Sequence, residues 1–112
     1  MTDKELLEAA ANAAGIAVVP CSCSNPQWPF KHDEAVSGKS GHWNPLTDDG
    51  DALRLAVKLG MVVYINNMDR CTNAYFYYGP MGAVEQHGDD AEAATRRAVV
   101  RAAAAPTPKE IL

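Results

Sequence analysis

The chain has 112 residues, a formal charge of −4 and 47% hydrophobic residues, enough for one domain around one core and too little for a second beside it. Its acids and bases are interleaved, which excludes the basic footprint of a nucleic-acid or anionic-membrane binder, and no apolar run approaches the ~18 residues a membrane span needs. Three cysteines, an odd number, together with an opening Met1-Thr2-Asp3-Lys4-Glu5, argue against a secreted disulfide framework and for reduced thiols in a cytoplasm.

The first helix opens with the capping-box pattern Thr2-Asp3-Lys4-Glu5, carries Leu6, Ala9, Ala10 and Ala13 with Leu7 and Ala14 at helical spacing, and stops at Gly15. Its stripe is mostly alanine, so it lies close to whatever it covers while burying little area per residue. Ile16 to Val19 is a short β-rich run that Pro20 confines to an edge strand. From Cys21 to Trp43 the composition turns to Ser, Asn, Pro, Gly and His, which reads as a long loop tied down by Trp28, Phe30 and Trp43.

Trp43-Asn44-Pro45-Leu46-Thr47-Asp48 then leads into the best-marked helix. Thr47 or Asp48 caps it, Asp48, Asp49 and Asp51 complement the positive end of its dipole, and Lys58 and Gly60 close it. Leu53, Ala56, Val57 and Leu59 are expected to form its inner face, with Leu46 stapled onto Leu53 or its neighbours. Met61–Asn66 and Thr72–Tyr78 read as an antiparallel pair of strands, the second with Ala74, Phe76 and Tyr78 on one face and Tyr75 and Tyr77 on the other. Gly79-Pro80-Met81-Gly82 is a turn, Ala83 to Gln86 a short third strand, and Asp89 with Glu92 opens a last helix. That helix turns Ala91, Ala94, Ala98, Val99 and Ala102 inward and Arg96, Arg97 and Arg101 outward, and Pro106 ends it. Asp48–Val57 and Asp90–Val99 align without a gap, an echo that shared helix-opening chemistry explains better than duplication. The fold expected is an α+β single-domain sandwich in the order α-β-α-β-β-(β)-α. An antiparallel sheet is packed by helices over residues 1–105, with a loop at 21–43 and a tail at 106–112.

This order of parts resembles the phage ABA-sandwich domain of small phage and prophage proteins. The resemblance covers about residues 2–104 and is carried by Asn44-Pro45 followed by Thr47-Asp48, by the helix Ala52 to Leu59, and by Ala94-Thr95-Arg96-Arg97-Ala98-Val99. It implies a compact α/β sandwich and a phage origin, and it supplies no activity or catalytic residues. The segment 21–42 departs from the family's pattern, so nothing there is carried over.

Cys21, Cys23, His32 and His42 are the one cluster with zinc-ligand chemistry, but Cys-x-Cys is tighter than the usual pair spacing, and small thiols with solvated histidines account for them as well. Cys71 or Cys23 paired with His87, His42 or His32 is a nucleophile and base on paper only. Gly38-Lys39-Ser40 lacks the upstream glycine of a phosphate loop, and the acidic cluster 48–51 lacks the alternating pattern of a calcium loop. The expectation is therefore a non-enzymatic, phage-encoded accessory protein of the bacterial host cytoplasm. It binds a host protein, needs no cofactor or metal, and avoids nucleic acid and membranes. The alternatives are a zinc-dependent or small-ligand site in the loop 21–42 and a structural homo-oligomer. Binding is expected on Trp28, Phe30, Lys31, His32, Lys39, His42 and Trp43, because loops carry function and tryptophan dominates binding energy. An equal reading folds the aromatics back over a sheet as core.

Overall fold

The computed structural model describes residues 2–77 and 82–105, so the expected tail 106–112, the turn through 79–81 and the placement of Tyr78 lie outside the described residues. The chain is mixed α+β, with four helices and two small antiparallel sheets among the described residues. Its elements are α1 (Asp3–Ala14), β1 (Val18–Pro20), β2 (Phe30–His32), α2 (Glu34–Ser37), β3 (His42–Trp43), α3 (Asp49–Leu59), β4 (Met61–Asn66), β5 (Cys71–Phe76), β6 (Gly82–Gln86) and α4 (Ala91–Ala104).

The second sheet, β4-β5-β6, carries the main layer. β4 and β5 pair from Met61 opposite Phe76 to Asn66 opposite Cys71, and β6 adds to the other edge of β5 with Ala74 opposite Ala83. Against it lies α4, whose Ala94, Ala98, Ala102 and Ala103 are buried with Val99 and Val100, and α1 packs on α4 through Leu6, Leu7, Ala10, Ala11 and Ala14. With methyl groups in place of longer side chains, the helix axes approach closely, and Leu7, Leu55 and Val100 supply much of the larger buried volume. The arginines of α4, expected on its outer face, instead bind its neighbours. Arg96 donates to the Leu46 carbonyl at 2.8 Å and to Asp49 at 2.6 Å, Arg97 to Asp3 at 3.1 Å, and Arg101 to Glu85. Their long stems let cations on the helix flank reach carboxylates on α3, α1 and β6.

The caps follow local chemistry closely. Thr2 and Glu5 form the reciprocal capping box, and Asp48 accepts from the Asp51 N–H at 2.8 Å. The αL residues Gly15 and Gly60 end their helices, a conformation that a side chain would strain. At α4 the cap is Asp90, accepting from Ala93 at 2.9 Å, one residue beyond the expected Asp89. Adjacent aspartates offer the same chemistry, and the helix phase picks the one three residues before a free N–H.

Two expectations fail, each for its own reason. The inner face of α3 is Asp51, Ala52, Leu55 and Ala56, while Leu53 and Val57 stand 67% and 71% exposed. The helix is rotated because Asp51 is itself drawn inward, to 4% exposure, where it accepts from the Asn44 backbone N–H at 2.9 Å and from Arg54 at 2.8 Å. The acid read as a surface dipole charge is thus a buried anchor. The segment 21–43, expected as loop, contains β2, α2 and β3, and with β1 it forms a separate sheet in the order β1-β2-β3. Strands of two or three residues leave too little alternation to be seen in sequence.

Asp51→Ala is expected to destabilise the fold by about 2 kcal/mol, because it leaves the buried Asn44 N–H without its acceptor, while the largely exposed Arg54 stays solvated. Asp48→Ala should cost about 1 kcal/mol and Thr47→Ala well under that, since Asp48 holds the cap. Urea unfolding of the three variants checks the ranking, and an Asp51 variant as stable as the wild type contradicts it.

Candidate functional site

The first sheet is held to the body by two aromatic side chains on its inner face. Phe30 and Trp43 are register partners across β2 and β3 and are 3% and 2% exposed. They are therefore core residues, the alternative expected for these aromatics: alternation along each two- or three-residue strand sends them inward and their neighbours outward. Lys31 and His42 are the next register pair and are both exposed. Lys39 is exposed on the connection between α2 and β3, and His32 is partly buried, its Nδ1 enclosed without a hydrogen-bond partner.

Around His42 the chain assembles a cluster. The Trp28 ring stacks on the imidazole with centroids 4.9 Å apart and planes 18° from parallel. Cys21 follows directly on β1 and continues its ladder, its N–H donating to the Pro29 carbonyl at 2.9 Å. The Cys21 and Cys23 sulfurs lie 2.9 Å apart, and the ligand atoms of Cys21, Cys23 and His42 all fall within 4.8 Å of one another. Of the four residues with zinc-ligand chemistry, the fold thus brings three together, and His32 is not among them. Cys21 and Cys23 are free thiols, the first partly buried and the second exposed.

The two thiols are not equivalent. Cys21 is held below the ordinary thiol range, chiefly by the Cys23 side chain hydrogen-bonded to it, then by the Cys23 backbone N–H, with Lys31 adding attraction. Cys23 is pushed above that range by the same contact seen from its other side. One thiolate is stabilised and the second resisted, the usual outcome for close, interacting acids.

The third histidine has a hydroxyl partner. His87 is buried and its Nε2 lies 2.9 Å from Thr72 Oγ1, which is also 2.8 Å from Thr95 Oγ1. This chain of side chains joins the end of β6 to β5 and α4, so the imidazole is a structural link. Nothing in the sequence announced it, because a lone histidine after a strand carries no spacing signal. The acidic cluster 48–51 is spent on capping α3 and on the Asn44, Arg54 and Arg96 contacts.

Alkylation of the reduced protein in the presence of a chelator should label Cys21 at lower pH than Cys23, because a lowered pKa populates the thiolate earlier as pH rises. Peptide mass spectrometry across a pH series reads the order, and Cys23 reacting first contradicts it.

Comparison with protein-family profiles, with curated proteins and with solved structures gave no match to this chain.

Proposed function

We propose that this protein works by binding another protein, without catalysis, through the groove between the β1-β2-β3 sheet and the exposed side of α3. The observation that carries the reading is the pair Leu53 and Val57, one helical turn apart and 67% and 71% exposed, on a wall of a groove of about 1050 Å³. Val36 and Ile16 add apolar surface, and Lys39, Arg54 and Lys58 are placed among them. Scattered exposed apolar residues are ordinary, but a concave run of them with polar borders is the usual form of a docking site. The partner suited to it presents apolar anchors flanked by acidic residues. The resemblance to small phage proteins supports a phage origin, and with it a partner from the bacterial host cytoplasm. The recognition face expected on 27–43 is retained in part: Lys39 and His42 border the groove, while Trp28 sits outside its lining, stacked on His42.

The test is capture from host lysate with the full chain, compared with a Leu53→Asp/Val57→Asp variant and with Trp28→Ala. A specific partner should be retained by the wild type and lost by the double variant, whose thermal midpoint stays within a few degrees because both side chains are exposed. Trp28→Ala should cost about 1 kcal/mol of stability through the lost stack. Capture that is unchanged in the double variant, or self-association as the only interaction, overturns the reading.

A further inference from the structure

In the Cys21, Cys23 and His42 cluster the two cysteines are used neither by the core nor by the groove reading, which takes only His42 at its border. His42 is distant in sequence from the two cysteines, and sheet order brings it to them: Cys21 leaves β1, His42 lies on β3, and β2 between them sets the spacing. We propose that Cys21 Sγ, Cys23 Sγ and an imidazole nitrogen of His42 bind one zinc ion, with the fourth position open to solvent.

The donor set suits that ion. Thiolate and imidazole are the ligands zinc takes most often, and two thiolates with one neutral imidazole balance its charge. The donor atoms already lie within 4.8 Å of one another. Zinc at ~2.3 Å from each sulfur in a tetrahedral site requires the sulfurs to stand roughly 3.7 Å apart. The present 2.9 Å separation therefore opens slightly on binding, a movement that the exposed Cys23 side chain can make. The surroundings have the features of a supported site: the Cys23 N–H faces Cys21 Sγ at 3.5 Å, and Trp28 fixes the plane of the His42 ring. Cys23 and His42 are exposed, so the remaining coordination position faces water. On binding, each thiol that still carries its proton releases it to solvent as its sulfur–zinc bond forms, and no oxidation is involved. The ion joins the first strand of the sheet to the third across β2. This inference does not depend on the groove taking a partner, since zinc uptake is measured on the protein alone.

The reduced, tag-free full chain is titrated with cobalt(II) and then with zinc(II). One equivalent of cobalt should give sulfur-to-metal charge-transfer absorption with the visible bands of a tetrahedral ion, and zinc should bleach both. Cys21→Ser, Cys23→Ser and His42→Ala should each weaken zinc affinity about tenfold or more. Cys71→Ser and His32→Ala should leave it unchanged, and circular dichroism of the metal-free variants confirms that each is folded. The wild-type cobalt spectrum decides the matter even where a variant fails to fold. Overturning results are the absence of charge-transfer absorption, undiminished binding by folded Cys21→Ser, or a Cys21–Cys23 disulfide whose reduced form takes up no metal.

Discussion

The amide side chain of Asn44 is the joint on which the placement of the first sheet depends. Its Nδ2 donates to the Gln27 carbonyl at 2.6 Å and its Oδ1 accepts from Leu46 N–H at 2.9 Å, while its own backbone N–H donates to Asp51 at 2.9 Å. Its carbonyl accepts from Asp48 N–H at 2.9 Å. One 4%-exposed residue therefore fastens the approach to β2, the turn after β3 and the start of α3 to a common point. A buried amide meets its requirements only when several partners are correctly placed, which makes such a node specific as well as stabilising. Pro45 beside it is fully buried and keeps Asn44 out of helical conformation.

From that joint the molecule divides into two kinds of construction. The α1, α4 and β4-β5-β6 layers are held by close-packed small side chains and by arginines that span between elements. The β1-β2-β3 sheet has strands of only two or three residues and docks through Phe30 and Trp43. So short a sheet gains little from its own ladder. Its order comes from those two buried rings and from Asn44, and its outer face is consequently free to hold polar, reactive side chains. Cys21, Cys23, Trp28, Lys31 and His42 gather there.

Helix ends were the most legible part of the sequence. Thr2/Glu5, Asp48 and Gly60 are local signals, and β4 matched its apolar run from Met61 to Asn66 because six residues suffice to show a strand. The β6 strand and the pairing of β4 with β5 followed from the same patterns. What could not be read was anything set by tertiary partners. Asp51 resembles the neighbouring acids until Asn44 is seen to need its oxygen. Leu53 and Val57 fit an apolar helix stripe as well as Leu55 and Ala56 do, and only the inward pull on Asp51 decides between them. The residues of the outer cluster stood among the four candidate zinc ligands, but which of them meet was hidden for a topological reason. Cys-x-Cys with a histidine 19 residues after the second cysteine has no recognised ligand spacing, yet a three-stranded sheet folds that interval back to a few ångströms. His32, one strand position from Lys31, was excluded by the same alternation that turned His42 outward.

The Asn44 joint makes a claim about cooperativity: the small sheet and the start of α3 are one unit, separable from the α1/α4/β4-β5-β6 body. Native-state hydrogen exchange on Asn44→Ala measures it directly. The account predicts that amide protection falls together at Cys21, at His32 and at the α3 amides capped by Asp48, while β5 and the middle of α4 keep the protection they have in the wild type. Uniform loss across both parts, or protection in the small sheet that survives the substitution, would contradict it.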